Sequence, residues 1–307
     1  MNMRRTVFLL LLILTLILPA FPPAPGLAAA PESDQPVKIE SSTTFTAALR
    51  GDNTLWVWGM NDNAQLGTSG SGSMYPRLLL EDIVDFAVGE NFAVALDKDG
   101  DIWVWGQLFF SDIYFTTPQK FDFSSDPIIA VDADRYHLVA LSDSGHVYTL
   151  GWGPLGRGIS YDTSAVPVMV LTDADTALGN IVQIAAAEAF SVAKAADGTV
   201  YVWERSGSTF ATPFDSGLSG NDSIFAGGYV GFLTKGEEVY GWGRSYELGL
   251  PTPNDYTTPT LIPELSNIGG IRQISSTFTH SLALSNDGTV YGTGESNYGQ
   301  MGKFLNS

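Results

Sequence analysis

The feature that most constrains this chain is a repeat. A twelve-residue frame occurs six times, at 48–59, 95–106, 140–151, 193–204, 232–243 and 283–294. The first aromatic of each copy falls at Trp56, Trp103, Tyr148, Tyr201, Tyr240 and Tyr291, with gaps of 47, 45, 53, 39 and 51 residues. Self-similarity at such a period belongs to arrays of stacked structural units. Each copy reads as a β-hairpin. An apolar strand runs into Asp99-Gly100, Ser144-Gly145, Asp197-Gly198 or Asp287-Gly288. Such pairs suit a type I′ turn, with positive φ at both central positions. A β-branched and aromatic strand leaves the turn, as in Thr199-Val200-Tyr201-Val202-Trp203.

Flanking pieces complete the unit. Upstream lies a short apolar strand, such as Ile128–Val131, Ile181–Ile184 or Ile271–Ile274, followed by small residues such as Ala185-Ala186-Ala187 and Ser275-Ser276. Downstream, Pro76, Pro118, Pro167, Pro213 and Pro259 each open a fourth extended piece. Proline suits the first residue of a strand or an outer edge. Four antiparallel strands in about 47 residues are the mark of a propeller blade. The predicted fold is therefore all-β: a β-propeller of six to seven four-stranded blades, one domain over residues 37–307.

Trp56, Trp58, Trp103, Trp105, Trp203 and Trp242 occupy the two aromatic slots of the frame. They read as core between blades and not as a ligand cage. His137 and His280 share a slot with Phe45, Phe92, Phe190 and Tyr229, so they read as packing residues.

The N-terminus carries an address. Arg4 and Arg5 precede the apolar run Val7–Leu18, Pro19 breaks it, and Ala28-Ala29-Ala30 offers small residues for cleavage. This is the pattern of a secretory signal peptide over residues 1–30, with 31–36 as a short lead-in. Loss of the two arginines takes the formal charge from −18 to −20. With 33 acidic and 15 basic residues, nucleic acid and anionic membrane surfaces are excluded as partners. No cysteine is present, which excludes disulfides, thiolate zinc sites, cysteine nucleophiles and lipid attachment through Cys. An exported chain without disulfides points to a bacterium. The expected product is a monomer, secreted or held at the cell surface.

Catalytic chemistry was sought along the same chain. Gly151-Trp152-Gly153-Pro154-Leu155-Gly156 matches G-x-G-x-x-G, but the residues after it do not open the helix that a dinucleotide site needs. Asp97-Lys98-Asp99-Gly100-Asp101 lacks the spaced ligands and closing Glu of a calcium loop, and reads as a turn. No nucleophile elbow is present. The sequence thus assigns no catalytic, cofactor or metal residue. One loop stands out. Phe109, Phe110, Tyr114 and Phe115 crowd a connection, and Tyr161, Tyr246 and Tyr256 lie in the corresponding connections of other copies. They are either buried against a neighbouring blade or line one rim of the ring as partner-binding residues.

The pattern of apolar-Ala-Leu, turn Gly, Trp-Gly, Asn and Gln-Leu-Gly resembles the regulator-of-chromosome-condensation repeat. Leu55–Gly67 and His280–Leu284 leading to Asn297–Gly302 carry it best. The resemblance implies a propeller, usually of seven blades. Six copies are visible here, which leaves open six closed blades, a degenerate seventh, or an incomplete ring. Founding members act in the nucleus on a small GTPase and chromatin. A secreted bacterial member type, a propeller β-lactamase inhibitory protein, is nearer in compartment and charge. The resemblance therefore implies a secreted, non-enzymatic propeller that binds an extracellular or envelope protein, basic in character. A polysaccharide-acting or glycan-binding protein associated with the cell wall is the alternative.

Overall fold

A computed structural model describes residues 35–108, 114–123, 126–204, 209–214, 220, 222–250, 255–297 and 299. Residues 1–30, expected to be a signal peptide, lie outside the described residues. The rest forms six antiparallel sheets in chain order. Blade 1 holds β1 (Pro36–Ser41), β2 (Phe45–Arg50), β3 (Leu55–Gly59) and β4 (Ser73–Leu80). Blade 2 holds β5 (Ile83–Val88), β6 (Phe92–Asp97), β7 (Ile102–Gln107) and β8 (Tyr114–Phe121). Blade 3 holds β9 (Ile128–Asp134), β10 (His137–Ser142), β11 (Val147–Gly153) and β12 (Asp162–Met169). Blade 4 holds β13 (Ile181–Ala186), β14 (Phe190–Ala195), β15 (Val200–Glu204) and β16 (Thr212–Pro213). Blade 5 holds β17 (Ser223–Gly227), β18 (Val230–Lys235), β19 (Glu238–Gly243) and β20 (Tyr256–Leu261). Blade 6 holds β21 (Ile271–Ser276), β22 (His280–Ser285) and β23 (Val290–Gly294). A short helix, α1 (Ser245–Leu248), sits in the fifth blade's long connection.

The first strands of successive blades pack on one another and mark the centre of the propeller. They are tied by side chains that reach the next blade's backbone. Glu40 accepts from the Val88 amide at 3.0 Å, Asp85 from Val131 at 3.2 Å and Asp132 from Ala186 at 2.8 Å. Gln183 both donates to the Ile224 carbonyl (2.8 Å) and accepts from its amide (3.1 Å). Lys38 binds Asp85 at 2.7 Å and Glu40 at 3.0 Å, so one cation bridges two carboxylates at the first step. Extensive packing runs from each blade to the next through the sixth. Among the described residues no strand of the sixth packs as extensively on the first.

Between blades the wedge is apolar. Trp105 and Trp203 are fully buried, and their indole N–H groups donate to the Gln65 and Pro154 carbonyls of the preceding blade, each at 2.9 Å. The segments so anchored are Gln65-Leu66-Gly67 and Pro154-Leu155-Gly156, with Leu66 and Leu155 buried beneath them. This accounts for the G-x-G-x-x-G match: its second half is a loop capping Trp203. The glycine ending the third strand has a separate cause. Gly59, Gly106, Gly151, Gly243 and Gly294 have φ between +89° and +122°, and a Cβ there would lie 2.1–2.6 Å from a carbonyl of the blade's first turn. No other residue fits that approach.

Four expectations need correction. The Asp-Gly hairpins are not type I′, because only the glycine has positive φ, as at Gly100 (84°) and Gly198 (88°). Gly100 N–H closes on the Asp97 carbonyl at 3.1 Å, a type I turn finished by a left-handed glycine. The Asp97 carboxylate takes the amides of Asp99 and Asp101 and the Trp103 indole N–H. The prolines do not open the outer strands. Pro76, Pro118, Pro167 and Pro259 sit inside β4, β8, β12 and β20, where the pairing skips residues, and an edge bulge leaves a missing N–H harmless. Tyr229 is not in the histidine slot. Blade 5 has a hairpin one residue shorter, so Val230 pairs with Gly243 where Phe45 pairs with Gly59, and Tyr229 is left in the turn. Finally, Trp56, Trp58 and Trp103 are only half-buried. The indole N–H groups of Trp56 and Trp103 bind Thr54 and Asp97 of their own blade.

Candidate functional site

In a four-stranded antiparallel blade, the turn after the first strand and the connection after the third lie at the same end. The proposed aromatic rim and the mouth of the channel therefore share one face. Phe109 and Phe110 lie outside the described residues. Tyr114, Tyr161 and Tyr246 are about half exposed, at 48%, 55% and 58%. Phe115 and Tyr256 are half-buried and pack on the cores beneath blades 2–3 and 5–6. Phe115 meets Phe121 edge-on at 5.5 Å. Tyr161 leans on Trp152 at 5.9 Å, and Trp152 meets Tyr136 edge-on at 5.2 Å. One rim tyrosine is thereby joined to the centre.

The centre is organised by Arg135, in the turn between β9 and β10. Its guanidinium donates to both carboxylate oxygens of Glu90, at 2.5 and 3.3 Å. Glu188 lies 3.6 Å away on another side. The same guanidinium lies over the rings of Tyr136 (4.9 Å) and Phe278 (5.4 Å). Tyr229 donates its hydroxyl to Glu188 at 2.7 Å, stacks near Phe278 at 5.7 Å, and is covered by Arg244 at 3.6 Å. Backbone links close the group. Glu90 N–H binds the Arg135 carbonyl and Glu188 N–H the Gly228 carbonyl. Asp134 accepts from Gly228 N–H at 3.2 Å, and the Thr44 hydroxyl reaches the Glu90 carbonyl at 3.5 Å. First turns of blades 2, 4 and 6 thus meet Arg135 directly, and those of blades 1 and 5 join the group through Glu90 and Glu188.

Charge is unbalanced here. Glu90, Asp134, Glu188 and Glu247 face Arg135 and Arg244. Burial pushes Asp134 up to about 7, with backbone donors pulling the other way. Burial likewise pushes Glu247 up to about 7, and it accepts from Tyr229 N–H at 3.1 Å. The Glu90 pairing holds Arg135 firmly charged. Aromatic faces, a fixed guanidinium and buried carboxylates suit recognition of a protein surface, since Tyr, Trp and Arg dominate interface energies.

A nucleophile–base contact does exist elsewhere. His137 Nε2 lies 2.7 Å from Ser191 Oγ. Both residues are fully buried between blades 3 and 4, so no substrate reaches the hydroxyl. His137 packs as its slot implied.

The sequence reading did not find Glu90, Arg135, Glu188, Tyr229 or Phe278. A signal was available. Thr43, Glu90, Arg135, Glu188, Gly228 and Phe278 occupy the same place in the six first turns, two residues before β2 and its counterparts or, in the shorter fifth blade, before β18. Charged or aromatic residues at four of these six places mark a column facing the centre.

Comparison with known proteins follows this geometry. Models of the regulator of chromosome condensation (RCC1) repeat match residues 83–107, 237–284 and 271–300. Protein pim1 of Schizosaccharomyces pombe is 26% identical over 322 residues, spanning 84% of this chain and 58% of that protein. The ultraviolet-B receptor UVR8 of Arabidopsis thaliana is 24% identical over 294 residues, spanning 91% and 58%. This chain thus spans less than two thirds of the length of these relatives. The crystal structure of Prp20p from Saccharomyces cerevisiae, described with its binding to Gsp1p and histones, superposes with a TM-score of 0.71 at 20% identity, over 84% of this chain and 71% of that one. The repeat matches, the blade topology and these likenesses agree: the chain carries regulator of chromosome condensation (RCC1) repeats folded as a propeller.

Proposed function

We propose that the protein is exported and works as a non-enzymatic binding propeller, engaging a protein outside the cell or on its envelope. The observation that carries this reading is the linked cluster of first turns around Arg135, flanked by Tyr136, Tyr229 and Phe278 and continued outward by Trp152 and Tyr161. A rigid arginine over aromatic rings is the composition of an interface hot spot. Binding of Gsp1p and histones by Prp20p supports protein recognition as a use of this fold. The formal charge of −18 favours a basic partner and speeds encounter with it. Residues 1–30 supply the export signal in this reading.

The test is affinity capture from envelope and culture-supernatant fractions, with wild type compared to Phe278→Ala and Tyr161→Ala. Wild type is expected to retain a defined protein that both variants lose, while their thermal unfolding stays close to wild type. Retention that is the same for wild type and variants contradicts the assignment of the face. Absence of any retained protein at low and high salt contradicts the function.

A further inference from the structure

The opposite end of the propeller carries a second pattern, independent of Arg135. Five innermost strands share one irregularity near their start. Pro36 pairs with Arg50 and Lys38 with Leu49, leaving Val37 outside the ladder. Val84, Ile129, Val182 and Arg272 are skipped in the same way in blades 2, 3, 4 and 6. Such a bulge re-aims one side chain. The residue just before it is buried, as Ile83, Ile128 and Ile181 show, at 1–4% exposed. The bulged residue is turned out: Val37, Val84, Ile129 and Val182 are exposed by 65%, 47%, 51% and 52%. The position accepts charge, since blade 6 has Arg272 there and blade 5 has Asp222. Four consecutive blades nevertheless place a β-branched aliphatic in water.

These side chains lie inside an acidic rim. The hairpin turns of blades 1 to 3 bond the next innermost strand at this end: the Asn53, Gly100 and Gly145 carbonyls take the amides of Ile83, Ile128 and Ile181. Each of the six hairpins presents an exposed carboxylate, namely Asp52, Asp99, Asp143, Asp197, Glu237 and Asp287. Of the cations at this end, Lys235 and Arg272 belong to blades 5 and 6, and those of blades 1, 2 and 4 are already engaged. Lys98 pairs with Asp82 at 2.8 Å, Lys194 donates to the Asp222 carbonyl at 2.6 Å, and Arg50 lies over Trp56. The rim is thus acidic in sign, and the collar within it is apolar over blades 1 to 4.

We propose that this end is a docking surface for a cationic amphipathic polypeptide segment, its aliphatic face on Val37, Val84, Ile129 and Val182 and its lysines or arginines toward the hairpin carboxylates. Charge complementarity selects that occupant: an anionic segment is repelled, and a cationic one without an apolar face leaves the collar wet.

The experiment measures fluorescence anisotropy of three labelled peptides of about 18 residues, long enough for some five helical turns. One places leucines on a single face and lysines on the other, one has the same composition scrambled, and one is oligolysine. The full protein is expected to bind the amphipathic peptide about tenfold tighter than either control, with affinity falling as salt rises. The Val37→Thr/Val84→Thr/Ile129→Thr/Val182→Thr variant keeps β-branching and is expected to lose about that tenfold. Arg272→Val extends the collar and is expected to tighten binding two- to threefold. It also keeps the test alive should the quadruple variant fold poorly. Tyr161→Ala, on the other face, is expected to bind the peptide like wild type. Equal binding of the three peptides, or no response to Arg272→Val, overturns the proposal.

Discussion

Three carboxylates near the channel titrate far from their usual range, and this gives the propeller an unusual pH dependence. Burial, reinforced by Glu40, pushes Asp132 up to about 7 from 3.8. Asp134 is raised to about 7 from 3.8 and Glu247 to about 7 from 4.5, burial being the largest cause in each. A carboxyl whose pKa is higher folded than unfolded binds its proton more tightly in the folded state. Its stabilising contribution is complete below the unfolded pKa and is lost as pH rises through the folded one. Between pH 5 and pH 8 each such group loses at most about 2.5 kcal/mol, so the three together lose at most about 8 kcal/mol. In a domain of this size that is a fall of at most roughly 15–30 °C in melting temperature. His280 works in the opposite direction: burial lowers its pKa, so its contribution is lost as pH falls. Glu40, also raised by burial, adds to the loss as pH rises. Asp52, Asp126, Asp173, Asp197 and Asp287 have lowered pKa values and are ionised throughout this window, so they leave the slope unchanged. The assay is calorimetric melting at pH 5, 6, 7 and 8, for wild type and Asp132→Asn. Asparagine keeps an acceptor for the Ala186 amide and never ionises. Its expected signature is a shallower pH slope, by about a third, with a gain in stability at pH 8. A melting temperature that is flat or rises from pH 5 to pH 8, or an unchanged slope in Asp132→Asn, refutes the reasoning.

Four further outcomes are expected. Gly106→Ala forces a Cβ to 2.3 Å from the Asn91 carbonyl at φ +89° and is expected to cost about 3 kcal/mol or more in urea unfolding. Gly70→Ala, at φ +102° with open space around it, is expected to cost only about 1 kcal/mol in the same measurement. Trp203→Phe removes buried volume and orphans the Pro154 carbonyl, for an expected loss of about 2–3 kcal/mol by the same assay. Arg135→Gln leaves Glu90 and Glu188 without their cation. It is expected to weaken capture of the partner at least tenfold, read by surface plasmon resonance once that partner is in hand.

Much of the fold was legible because local chemistry repeats. Asp-Gly pairs, alternating apolar strands and Trp-Gly endings recur at a steady spacing, and no helix competes with that pattern. The strand-ending glycines were legible as a motif, but their cause, a carbonyl of the blade's own first turn, exists only in three dimensions. The hairpin type was misread because Asp-Gly serves two turns, and a side chain such as Asp97 decides between them by capturing nearby amides. Tyr229 was misplaced because alignment by frame does not register a hairpin shortened by one residue. The Arg135 centre was missed for a related reason. Successive members lie in turns of different blades, 41 to 53 residues apart along the chain, and each alone looks like an ordinary surface charge or ring. Two rim aromatics, Phe115 and Tyr256, lean inward because their strands begin beside an interblade core, which a loop-based reading does not see.

The most direct test of the central claim is site-specific photo-crosslinking on the Arg135 face. A benzophenone side chain is placed at Phe278, at Tyr161 or, as a control, at the exposed outer-edge residue Thr258 on β20. Irradiation in the presence of the envelope and supernatant fractions is expected to give one defined protein adduct from the first two positions and none from the third. Adducts equal at all three positions, or an adduct from Thr258 alone, contradict the account.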